Sequence, residues 1–114
     1  MGEIFSREAA LRYAGGDEEL RREFLAAYAE EGEKHCAALA KAAAARCWRD
    51  YENEAHAVKS TSKTVGAMAF SEKAKEQEML AKNGKAAEIL ASWQPFLEEY
   101  RAVLQAAKAE AACL

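Results

Sequence analysis

The sequence predicts an all-α protein, an antiparallel up-down four-helix bundle with a short additional N-terminal helix. Three observations carry this. Helix-forming Ala, Glu, Lys, Leu, Arg and Gln dominate, with a single proline and few β-branched residues. No segment of useful length alternates apolar and polar residues. Long periodic stretches are joined by short turn signals, and such helices pack as antiparallel neighbours. The 114 residues fit one domain, taken as 1–114, with room for a single core. No internal repeat or low-complexity linker marks a boundary.

The elements follow from punctuation. A first helix is expected over about residues 6 to 14, with Ser6 as N-cap and Gly15-Gly16 as its stop. Asp17 suits the N-cap of a second, long helix, and Glu18 and Glu19 complement its positive end. That helix runs to about Ala44, with Leu20, Phe24, Tyr28, His35 and Leu39 at helical spacing and Leu25 and Cys36 beside them. A third covers about residues 48 to 65, with Gly66 near its end. The fourth spans about Ala67 to Ala81 and stops at Asn83-Gly84, a turn signal. The fifth starts near Lys85 and carries Ile89, Leu90, Trp93, Phe96, Leu97, Tyr100, Val103 and Leu104 as its apolar stripe. Pro95 lies inside it and is expected to kink or divide it, because proline removes a helical donor and crowds the preceding turn.

Composition excludes several functions. Net charge is −3, so a broad electrostatic grip on nucleic acid, which needs clustered excess Lys and Arg, is not expected. No apolar run nears the ~18 residues of a membrane span. The N-terminus, MGEIFSREAALR, has charges where a signal peptide has its apolar region, so a cytoplasmic location is expected, and Met1 favours a free-standing chain. Cys36, Cys47 and Cys113 are odd in number and widely spaced, which fits small buried or partly buried groups and neither a disulfide framework nor a metal clamp. With no heptad seam, a monomer is expected.

The stretch HAVKSTSKTVGA, residues 56 to 67, holds one of only two histidines. At ~100° per residue, Lys59, Ser60, Lys63 and, if the helix continues, Ala67 fall within about 60° of His56. Tyr51, Ala55, Val58, Ser62 and Val65 fall on roughly the other side. His56 therefore points outward, beside lysines and among small side chains. A neutral imidazole is a good nucleophile near neutral pH, and a lysine one turn away supplies charge for phosphate oxygens. Phosphoryl transfer asks little of a protein beyond position and charge neutralisation. Surface histidines near lysines are common, however, and the pattern alone leaves an incidental histidine on a solvated face as the alternative.

This stretch resembles the signature of histidine-containing phosphotransfer (HPt) domains, H-x-[hydrophobic]-K-G followed by G-A ten and eleven residues after the histidine. His56, Val58, Lys59, Gly66 and Ala67 fit in register. Phe70, Ala74 and Glu78 fit the apolar, small and acidic positions of the next helix, and GGDEELRREFLAAYAEE resembles the start of the family's first long helix. Two departures stand out: Ser60 replaces the usual glycine after the lysine, and Trp48 and Tyr51 are bulky where shorter aliphatics are common. The resemblance implies a phosphorelay carrier in which His56 accepts a phosphoryl group from a receiver-domain aspartate and passes it to another receiver. It implies that Lys59 neutralises the phosphoryl oxygens and that Ser60, Gly66 and Ala67 allow receiver docking or helix packing; Lys63 is expected to assist from its position on the same face alone. The implied partners are response-regulator receivers and hybrid sensor kinases. Such domains hold no cofactor and no metal of their own. No P-loop or Gly-rich kinase loop is present, so ATP-dependent kinase activity is not expected.

Rival readings are weaker. His35 shares a stripe with Phe24, Tyr28 and Leu39 and reads as a satisfied, partly buried histidine. Trp93, Phe96 and Tyr100 read as core. A metal-binding bundle lacks the repeated Glu-x-x-His pattern. The alternative of a different class is a helical interaction module that keeps the bundle without phosphotransfer, and Ser60 is the one feature favouring it.

Overall fold

A computed structural model describes residues 3–112. Among them are five helices: α1 (Arg7–Tyr13), α2 (Glu18–Ala45), α3 (Trp48–Thr64), α4 (Met68–Lys82) and α5 (Ala86–Ala112). The expected caps form. Ser6 Oγ accepts from Ala9 N at 3.2 Å, and Asp17 Oδ1 accepts from Glu19 N and Leu20 N at 2.9 and 3.2 Å. The turn from α2 to α3 is made without glycine, with Arg46 at φ 55°. Cys113 and Met1 lie outside the described residues.

Cross-helix contacts set the topology. His35 and Tyr28 of α2 meet Glu54 and Ser62 of α3, so the numbering rises on one helix as it falls on the other. Tyr51 and Lys59 of α3 meet Gln77 and Ser71 of α4 in the same opposed sense. Gln77 and Lys73 of α4 meet Ser92 and Glu99 of α5. The ring closes where Arg21 approaches Glu110 and Gly32 lies against Leu104. α2 to α5 therefore form an antiparallel up-down bundle, and α1 lies across one end against α2 and α3.

The core is built from the inward stripes. Phe70 of α4 stacks on Phe96 and Tyr100 of α5 with centroids 5.2 and 5.3 Å apart, and Leu25, Leu39, Tyr51, Val58 and Ile89 are fully buried around it. Cys36 is buried and Cys47 half-buried. Gly32 permits the close approach of α2 and α5, because a Cβ there would overlap the Leu104 side chain. Leu20 and Phe24 sit at the edge of the α2 stripe, and its centre holds Arg21, buried on Glu18 through a bidentate pair at 2.7 and 3.0 Å.

Of the two outcomes expected at Pro95, a kink or a division, division does not occur; α5 is continuous through it. Pro95 and Ala91, whose carbonyl would have accepted the missing N–H, both face solvent, where water can satisfy that carbonyl. Among the described residues, no helix is long and apolar enough to cross a membrane.

Candidate histidine site

α3 presents His56 outward because its other face is bound inward. Tyr51, Ala55, Val58, Ser62 and Val65 are at most 2% exposed, whereas the His56 side chain is 58% exposed. The antiparallel partner α4 brings Glu78 alongside. His56 Nδ1 lies 2.7 Å from Glu78 Oε2, and Lys59 Nζ pairs with Glu78 Oε1 at 2.8 Å. One carboxylate thus bridges the histidine and the lysine a turn below it.

Burial acts to raise the Glu78 carboxyl, but the Lys59 ammonium and the His56 ring outweigh it, and the group titrates below its ordinary 4.5. Glu78 is therefore ionised at neutral pH. An ionised carboxylate only accepts, so Nδ1–H donates, and in the neutral ring Nε2 carries the lone pair. The ring is held at one nitrogen and open at the other.

Ser60 and Lys63 are exposed on the same face. Gly66 and Ala67 are not. α3 ends at Thr64, both residues are buried, and neither offers surface to a partner. Their burial supports the packing role, the other one anticipated for them. Gly66 adopts φ +82°, its carbonyl accepts from Ser6 N at 2.8 Å, and a Cβ there would strike the Ser6 carbonyl. Ala67 is the fully buried N-cap of α4.

Glu78 was named from the sequence only as an acidic position and given no role. Its signal lay in its placement beside the buried stripe of Phe70, Ala74 and Ala81, where an acid needs a partner; the partner is invisible until α4 is registered on α3. His35 provides a contrast. Its Nδ1 meets Glu54 Oε1 at 2.8 Å, but the side chain is only 22% exposed, no lysine completes the group, and it borders an apolar groove with Phe24, Tyr28 and Val65. No group of three or more His, Cys, Asp or Glu side chains gathers among the described residues.

No curated protein and no solved structure matches the chain. The family model described as Hpt domain matches residues 23–110, which span α2 almost from its start through nearly all of α5 and include the His56 helix and its α4 partner. With most of its length matched and the bundle in place, the chain belongs to the Hpt domain family, whose members are phosphocarriers of phosphorelays.

Proposed function

We propose that His56 is the phosphoacceptor and that this chain carries phosphoryl groups between receiver domains. The supporting observation is the Glu78 bridge: a carboxylate 2.7 Å from Nδ1 of an exposed imidazole. Nε2 attacks the phosphorus of an aspartyl phosphate on a receiver; the N–P bond forms, the P–O bond to the aspartyl oxygen breaks, and the aspartate leaves as carboxylate. The ring becomes a phospho-imidazolium whose Nδ1–H⁺ is stabilised by Glu78, the carboxylate-to-histidine arrangement that assists nucleophilic imidazoles and hydroxyls generally. Lys59 faces the incoming phosphoryl oxygens. Return transfer runs the same steps in reverse to a second receiver's aspartate.

The ring geometry supports one side of approach. Nδ1 is tied toward α4, so Nε2 opens away from it. His56, Ser60 and Thr64 form an i, i+4, i+8 ridge, and Thr64 borders a groove of about 230 Å³ between α2 and α3, shared with Phe24, Ala27, Tyr28 and Val65. A receiver seated there meets Ser60 and Lys63 on its way to His56. Partners of the receiver-bearing type, response regulators and hybrid sensor kinases, follow from the same reading.

Phosphoramidate loading followed by transfer to a panel of receivers tests this. Wild type and His35→Gln should take up acid-labile phosphate and pass it on, and His56→Gln should not while remaining helical. Lys59→Ala should slow transfer without loss of fold. Uptake by His56→Gln equal to wild type, or loading of His56 that no receiver drains, would leave the bundle as an interaction module.

A further inference from the structure

We propose that Ser71 and Gln77 are positioning residues for His56, holding α4 at the single register on α3 where Glu78 reaches both His56 and Lys59. The inference rests on reading His56 as the phosphoacceptor. Ser71 and Gln77 are polar side chains on the buried stripe of α4, 5% and 6% exposed. Neither touches His56.

Each is bonded in a way that depends on height along α3. Ser71 Oγ donates to the Lys59 carbonyl at 2.9 Å, and Lys59 lies well inside α3, so this bond forms at one axial position only. Gln77 Oε1 accepts from Tyr51 Oη at 2.8 Å, and Gln77 Nε2 donates to Ser92 Oγ at 3.0 Å, which in turn donates to the Glu88 carbonyl at 2.7 Å. The amide is satisfied at both ends and ties α4 to α3 and to α5.

The apolar contacts between these two helices do not supply the same constraint. Apart from Tyr51 and Phe70, the apolar side chains buried on these two helices are small: Ala55 and Val58 on α3, Ala74 and Ala81 on α4. Small ridges tolerate sliding, whereas a buried polar group that loses its partner is penalised. A slip of one residue moves α4 by ~1.5 Å and turns it by ~100°, which carries Glu78 away from His56. Alanine and leucine at these positions would fill the same stripe, so the polar choice adds register rather than burial. Ser71 lies two turns before Glu78 on the same side of α4, and Gln77 directly precedes it, so both ties act on the run of helix that leads to the carboxylate.

The test reads the ring itself. In ¹⁵N-histidine-labelled full chain, the ratio of Nδ1–H to Nε2–H tautomers at His56 is measured near neutral pH for wild type, Ser71→Ala, Gln77→Leu, the double variant and Glu78→Gln. The double variant should stay helical, and its His56 ratio should fall about fivefold toward that of Glu78→Gln, the bias that an ordinary net hydrogen bond supports. Adding Glu78→Gln to it should change nothing further, and the His35 ratio, set by Glu54 of α3, should not move. A folded double variant with the wild-type His56 ratio would overturn the proposal, as would parallel losses at His56 and His35, the sign of general loosening. If the double variant does not fold, Ser71→Ala alone decides by the same criterion. Because the readout is ring protonation, failure of His56 to take phosphate would leave this result standing and remove only the carrier reading.

Discussion

Alanine at Gly66 and alanine at Gly84 should cost different amounts, and the difference measures how firmly the N-terminal segment is fixed to the α3–α4 turn. Both glycines are left-handed, at φ +82° and +67°, so each substitution carries the backbone penalty of an L residue there, roughly 1 kcal/mol. At Gly84 nothing lies within 4 Å of the new Cβ, and the penalty ends there. At Gly66 the Cβ meets the Ser6 carbonyl. The segment must then move, breaking the 2.8 Å Ser6–Gly66 bond, worth about 1 kcal/mol, and loosening Phe5 and the buried Ala9 and Ala10. The sum at Gly66 is about 2–3 kcal/mol. At about 4 °C per kcal/mol for a chain of this size, Gly84→Ala should melt ~4 °C below wild type and Gly66→Ala ~10 °C below. Thermal melts followed by circular dichroism decide it. Equal shifts for the two variants would refute the packing role assigned to Gly66 and reopen a role for it at the surface.

Other expectations follow from the same geometry. Glu78→Gln should slow phosphoryl uptake by His56 about fivefold, the effect of roughly 1 kcal/mol from a charge-assisted bond to a half-exposed ring; an unchanged rate would remove Glu78 from the mechanism. The Glu78 and Glu18 carboxyls both titrate below 4.5, Glu18 through its bond to Arg21, so their stabilisation is whole above that pH and is lost as pH falls beneath it. Urea midpoints should therefore hold from neutral pH to about 5 and drop below 4.5, less steeply in Glu78→Gln. Among the described residues Tyr100 Oη is buried without a hydrogen-bond partner, so Tyr100→Phe should be neutral or stabilising, whereas Tyr28→Phe should cost about 1 kcal/mol by stranding Ser62, its partner at 2.7 Å. Denaturant midpoints showing equal losses for the two would contradict this. Gly32→Ala should destabilise by about 1–3 kcal/mol despite its better helix propensity, and a double-mutant cycle with Leu104→Val should show part of the cost relieved, because the nearest atoms to the new Cβ all belong to the Leu104 side chain.

The helices were legible because their signals are local. Ser6 and Asp17 cap by reaching two or three residues along the chain, and Gly15-Gly16 and Asn83-Gly84 break it where they stand, so each boundary fell within a residue or so of its place. The outward turn of His56 was legible for the same reason, since Tyr51, Ala55, Val58 and Val65 mark the inner face by spacing alone. What stayed hidden depends on distance in sequence. Glu78 is one of several acids in SEKAKEQEML; the family likeness marked it as an acidic position, but only the opposed run of α3 and α4 gives it His56 and Lys59 as partners. Ser71 and Gln77 looked like ordinary polar residues until their partners, the Lys59 carbonyl and Tyr51, came alongside. Gly66 and Ala67 matched the signature in register, but the spacing that aligned them could not say that the helix ends before them and turns them inward. Pro95 does not divide α5, because its penalty depends on which side of the helix it occupies, and that side is solvent.

Pro95 leaves its mark on α5 in time. Without an N–H at 95 the hydrogen-bond ladder has a missing rung, although the axis runs on. The rungs before it belong to a segment tied to α4 through Ser92 and Gln77, and the rungs after it carry Phe96, Glu99 and Tyr100 against α4 and Leu104 and Glu110 against α2. Opening of one segment need not propagate through the gap to the other. Amide hydrogen exchange should therefore resolve this single helix into two protection classes, the segment before Pro95 less protected than the one after it, which both α4 and α2 hold.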